Sequence, residues 1–106
     1  MFYKIETYVP ADAKDSLKTA LFNAGAGRIG NYDHCCWETL GTGQFRPLPG
    51  SNPAIGSQLI TESVPEVKIE LVCEPHALNA VIAALITHHP YETPAYQYWP
   101  VNPTPP

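Results

Sequence analysis

Charge is scarce in this sequence, and the little there is does not cluster. Charged residues fill 15% of the 106 positions, whereas hydrophobic ones fill 44%. That balance excludes a disordered chain and leaves surface for a partner to cover. The six basic residues (Lys4, Lys14, Lys18, Arg28, Arg46 and Lys68) form no run and are outnumbered by ten Asp and Glu, for a net charge of −4. A phosphate backbone is held by clustered cations, so nucleic acid is not expected as a partner. Long apolar runs are missing as well: no stretch reaches the ~18 residues of a membrane span, and no membrane partner is expected. Met1 to Pro10 alternates polar and apolar residues where a leader would offer a basic segment and then an apolar one, so the expected location is the cytoplasm. Paired cysteines are lacking too. Cys35, Cys36 and Cys73 are an odd set without C-x-x-C spacing, which reads as thiols in a reducing compartment.

What is present suffices for one core. A chain of this length removes somewhat over ~60% of its extended surface from water on folding and does not support a second domain. Five of the twelve prolines fall in the last thirteen residues. Residues 1–101 are therefore expected to form the domain, with 102–106 an extended Pro-rich tail.

The period of apolar residues sets the elements. Tyr3, Ile5, Thr7 and Val9 fall on one face of a strand over 2–9. Pro10 ends it, and Asp12 or a neighbour is expected to cap a helix over 12–24 with apolar positions Ala13, Leu17, Ala20, Leu21 and Ala24. Gly25 stands where a left-handed residue would close that helix. Aromatic and β-favouring residues over 32–40 and 44–48 read as a strand interrupted by a bulge or tight turn at Gly41–Gly43. Residues 47–56, with three prolines and two glycines, form a loop. A strand over 64–73 follows, then a helix from Pro75 to about His88 with the stripe Leu78, Val81, Ile82, Leu85 and Ile86. Pro90 stops it. A last strand over 95–101 belongs at an edge, between Pro94 and Pro100. The order β-α-β-β-α-β predicts an α+β, ferredoxin-like fold: a four-stranded antiparallel sheet with both helices on one face.

Three motifs carry chemistry in their letters. Residues 25–30 (GAGRIG) fit the dinucleotide fingerprint, but they follow a helix where the motif needs a strand before it, so they read as a chain-reversing loop. Asp33, His34, Cys35 and Cys36 are the one dense set of metal-ligand types. With Cys73 and His76 expected at the same end of the sheet, they suit either a soft transition metal such as Zn or Cu(I), or inert, buried thiols. In His88-His89-Pro90-Tyr91-Glu92-Thr93-Pro94 the prolines set a rigid turn that presents Tyr91 and Glu92. Subunit contact, ligand binding and catalysis are open readings of it, and only one of the two adjacent imidazoles is expected to turn inward. The metal candidates are His89, Glu92, His34 and Cys35. No nucleophile, base and orienting group stand together, so no catalytic residue is assigned.

Residues 25–37 (GAGRIGNYDHCCW), 41–56 (GTGQFRPLPGSNPAIG) and 88–96 (HHPYETPAY) together resemble the inserted domain of the Nif-three-like proteins, a domain similar to PII and CutA. The run from His89 to Pro94 also resembles the closing motif of CutA, the divalent-cation-tolerance protein. The resemblance implies a ferredoxin-like fold and self-association, most often as a trimer. The two-metal site of the larger Nif-three-like proteins sits in halves that flank this domain, so their hydrolase role is not implied here. Gln97 and Thr93 stand where the family pattern has acidic residues. The expected function is a homo-oligomeric PII/CutA-like binding or sensing module for a small ligand, a metal ion or a partner protein. The alternatives are a divalent or soft transition-metal binder of cation-tolerance type, and a hydrolase accessory subunit.

Overall fold

The alternation of the first ten residues produces a strand with one face in the core. The computed structural model describes residues 1–102, and the expected tail lies outside them apart from Asn102. The elements are β1 (Phe2–Pro10), α1 (Lys14–Asn23), β2 (Trp37–Phe45), β3 (Glu62–Cys73), α2 (Leu78–His88) and β4 (Tyr96–Val101). Short 3-10 turns at Ala11–Ala13 and Pro75–Ala77 lead into the two helices. The sheet runs β2-β3-β1-β4 with every pair antiparallel, so β4 is an edge strand as expected. The ferredoxin-like α+β fold is therefore the one the periodicity implied.

Ile5 and Val9 of β1 and Val67, Ile69 and Leu71 of β3 meet Leu17 and Leu21 of α1 and Val81 and Leu85 of α2 in one buried cluster. Each such side chain contributes roughly 1.5–3 kcal/mol by leaving water. Glu38 of β2 ties this layer to α1 through Lys14 and Lys18. Hydrogen bonds from Lys14 and then Lys18 hold its carboxyl at about 2. Among the described residues, the opposite face of the sheet carries no helix. There Lys4 meets Glu70 at 2.9 Å and Lys68 meets Glu6 at 3.5 Å, with the exposed Trp37 and Trp99 beside them.

Four expectations are corrected. β2 begins at Trp37, not at residue 32, because His34 adopts a positive φ of 55° and the Cys35 N–H bonds to the Gly27 carbonyl instead of a strand. It ends at Phe45, not Leu48. Gly41–Gly43 does not break it, since the ladder to β3 runs without a bulge from Trp37↔Glu70 to Phe45↔Glu62. Asp12 caps nothing: it lies inside the first 3-10 turn, and no side chain caps α1. Gly25 does close α1 with a φ of 113°, while the Ala26 N–H reaches back to Leu21 O.

Two consequences of register position the rest. β1 stops at Pro10↔Glu66, so residues 62–65 of β3 pair with β2 alone and form an arm beyond the four-stranded body. Phe2 pairs with Val101, which brings the start of β1 beside the end of β4.

Candidate functional site

The base of the arm is closed by the turn after α2. Pro90 forbids a further helical turn, so His89 leaves the helix with φ −76° and ψ 134°. Its ring turns inward and is buried, whereas His88 stays exposed. The Nε2–H of His89 donates to the Tyr8 carbonyl at 2.7 Å, and Nδ1 accepts the Tyr91 N–H at 3.1 Å. Both ring nitrogens are thereby occupied in the neutral form. Burial lowers the imidazole's pKa from its ordinary value, only partly opposed by the bond to Tyr8.

His89 thus sets the backbone of Tyr91, and Tyr91 reaches across the sheet. Its hydroxyl donates to Glu66 Oε2 at 2.6 Å, and its ring meets Phe45 edge to face with centroids 5.7 Å apart. Burial first, and then the Glu66 carboxylate, push the phenol well above its ordinary value. Gly43 makes room for this pair. A Cβ there would collide with the Glu66 carboxyl group, although the backbone at Gly43 asks for no special φ. Beyond Tyr91, Glu92 accepts the Asn52 N–H through both oxygens, at 3.1 and 3.2 Å, and so clips the 46–61 loop to the turn. Between loop, turn and sheet lies an open cavity of about 270 Å³. Tyr8, Phe45, Tyr91, Pro53 and Ile55 give it apolar walls, and Glu66, Glu92 and Arg46 bring charge to it.

The other candidates lie at the far end of the sheet. His34 is exposed and stacks on Phe22, with ring centroids 4.6 Å apart and planes 9° from parallel. Among the described residues, the Cys35 thiol reaches only the Asp33 carbonyl, at 3.7 Å. Cys73 is a core residue and Cys36 half-buried, and burial pushes both thiols up. His76 points outward beside Glu74. Among the described residues, no three of His, Cys, Asp and Glu stand together as a metal-holding group. The single chain therefore does not gather His89, Glu92, His34 and Cys35 into one site. Tyr8, Phe45, Arg46 and Glu66 were not singled out from the sequence, and Gly43 stood there only as part of an expected strand break. Only the PLPGSNPAIG loop and the rigidity of the 88–94 turn signalled this region.

No protein-family model matches the chain. Over 99 residues it is 46% identical to a protein of Halalkalibacterium halodurans named GTP cyclohydrolase 1 type 2 homolog, a stretch that makes up 93% of this chain and 27% of that protein. The solved structure of a Bacillus cereus protein related to NIF3 superposes at TM-score 0.81 with 37% identity, over 96% of this chain and 26% of that one. CutA from Archaeoglobus fulgidus, a periplasmic divalent cation tolerance protein, superposes at TM-score 0.68 over 97% of this chain and 86% of that one. With 14% identity, that likeness is one of fold. The chain spans about a quarter of the length of the curated relatives it matches. The resemblance carried by residues 25–37, 41–56 and 88–96 is thus borne out: the chain is a relative of the Nif-three-like (NIF3) proteins and matches them over a PII/CutA-like domain.

Proposed function

We propose that this domain is a non-catalytic, homo-oligomeric binding module, a trimer by its resemblance to PII and CutA, that takes a small ligand in the cavity at the base of the β2–β3 arm. The observation that carries the reading is the convergence of Tyr91, Glu66 and Glu92 on an apolar-walled cavity, each held by a contact distant in sequence. Such cavities with a few placed polar groups are the usual form of ligand sites. The same contacts speak against catalysis. Tyr91 remains a phenol, and His89 has no free lone pair for a proton or a nucleophile. The sheet face opposite the helices supplies the surface for self-association, and the low charge of the chain leaves that surface for a second copy to cover.

The second reading, a divalent or soft transition-metal binder, draws on the likeness in fold to CutA. Its ligands would be His34, Cys35 and Glu92 brought together from neighbouring copies. His89 would have to leave Tyr8 and Tyr91 to join them. An accessory role beside a hydrolase is the reading that the names of the longer relatives suggest.

Sedimentation equilibrium tests the assembly: a multiple of the 11.6 kDa chain mass is expected, and a monomer across a wide concentration range rejects it. Amide-shift mapping of a small-molecule set on the labelled protein tests the site. Shifts at Phe45, Glu66 and Tyr91 are expected, and responses confined to other regions reject the cavity. Metal analysis of the purified oligomer that finds a stoichiometric transition ion would favour the second reading.

A further inference from the structure

The cavity proposed above as a binding site has a chemical preference, and the following rests on that proposal. Glu66 Oε2 accepts from Tyr91, while Oε1 accepts no hydrogen bond among the described residues. The carboxylate lies over the strand only because Gly43 has no side chain. The rings of Tyr8, Phe45 and Tyr91 line the same space. Arg46 also lines it, and among the described residues has no acidic partner within ion-pair distance.

These groups discriminate between ligand classes. A ligand whose only charge is negative would gain Arg46 but meet two carboxylates, Glu66 and Glu92, in the same cavity. A neutral apolar molecule would displace water from Oε1 and return no donor, which is costly for a charged acceptor. A protonated amine supplies that donor with the complementary charge, and its positive end is attracted by aromatic faces. We propose that the cavity binds a primary ammonium group carried on a small, flat apolar body, with the ammonium on Glu66 and the body among Phe45, Tyr8 and Tyr91. Arg46 decides between two sources of this chemistry. An amino acid would place its carboxylate on Arg46, whereas a simple amine would leave Arg46 in water.

The test is an amide-shift titration of the labelled full chain with phenethylamine, phenylalanine, benzyl alcohol and benzoate. Saturable shifts at Glu66, Phe45 and Tyr91 are expected with phenethylamine or phenylalanine, and none with benzoate. Glu66→Gln should weaken that binding by about tenfold, the loss of one charge-assisted bond. Gly43→Ala, which retains the carboxylate and displaces it, should weaken it in the same direction while leaving the fold's spectrum unchanged. Weaker binding of phenylalanine but not of phenethylamine in Arg46→Met than in the parent identifies the amino acid as the source, and affinities for both probes unchanged from the parent identify the amine. Unaltered binding in Glu66→Gln and Gly43→Ala overturns the proposal. Benzyl alcohol or benzoate shifting the same amides where both amines fail overturns it and leaves the cavity as a site of another class. If no probe shifts a cavity amide, the cavity reading falls with it.

Discussion

At one end of the sheet the contacts join residues close in sequence, while at the other they bond across the chain. Ile29 bridges to Tyr32, the Cys35 thiol meets Asp33, and His34 lies on the nearby Phe22. Opposite, His89 bonds to Tyr8, Tyr91 to Glu66, and Glu92 to Asn52. The first end has the higher density of metal-ligand types in sequence, and the second has the cavity. Local density of reactive residues is thus a poor guide to a site, because a site needs groups that converge from different elements. His34 lies on Phe22 of α1 and the Cys35 thiol on Asp33, and among the described residues no contact directs the two side chains to a common point.

The sharpest test of this contrast compares two histidines. His89→Ala leaves a buried carbonyl at Tyr8 and an N–H at Tyr91 without partners and opens a void beneath the turn. A loss of about 2–4 kcal/mol of stability is expected. His34→Ala removes an exposed stacked ring and should cost about 0.5–1 kcal/mol. Urea unfolding of both variants measures the pair, and equal losses would erase the distinction between the ends. Next in size is Tyr91→Phe, which retains the ring against Phe45 and deletes the bond to Glu66. It should cost about 1–2 kcal/mol, below the full value of a charged hydrogen bond since Glu66 is half-exposed.

Acid should act first on the same end. Burial depresses the His89 pKa in the folded protein below its ordinary 6.5, so the unfolded chain takes up the proton more readily. The stability this group provides is complete above that value and is lost as pH falls from there through the depressed one. Protonated Nδ1 would face the Tyr91 N–H, so the turn should loosen together with the fold. Glu38 and Glu70, both held below the ordinary carboxylate value of 4.5 chiefly by lysine hydrogen bonds, add their losses only in more acid solution. Unfolding free energies at about pH 7.5 and about pH 5.5 should therefore differ in the parent and in His34→Ala. No difference in either would remove His89 as the source.

Much of the fold was legible, because two periods, 2 and 3.6, stand out cleanly in β1, α1, β3 and α2. The inward turn of one imidazole in the His88–His89 pair was legible for a similar reason: Pro90 forces adjacent side chains apart. The course of β2 was not. Gly41 and Gly43 carry the usual marks of a break, yet Gly43 stays in register because its missing side chain leaves space for the Glu66 carboxylate, a cross-strand neighbour that no local pattern reveals. The cavity stayed hidden on the same ground. Glu66 reads as one polar position in an alternating strand, and its partner Tyr91 lies 25 residues away.

The smallest expected effect separates two roles for Glu92. Its carboxylate accepts the Asn52 N–H within its own chain, in an exposed position where a hydrogen bond trades against water almost evenly. Glu92→Ala should then change global stability by no more than about 0.5 kcal/mol. The local effect should be larger than the global one. Residues 46–61 hold to the turn through this bond, so the Asn52 amide should exchange faster with solvent while amides of β1 and β3 keep their protection. If Glu92 instead serves a subunit boundary, its removal leaves partners in another copy unsatisfied, and association weakens by about 1–3 kcal/mol. Sedimentation equilibrium and amide exchange on the one variant distinguish these outcomes. A faster Asn52 amide with an unchanged association constant assigns Glu92 to the loop, and a weakened assembly with an unchanged Asn52 amide assigns it to the interface.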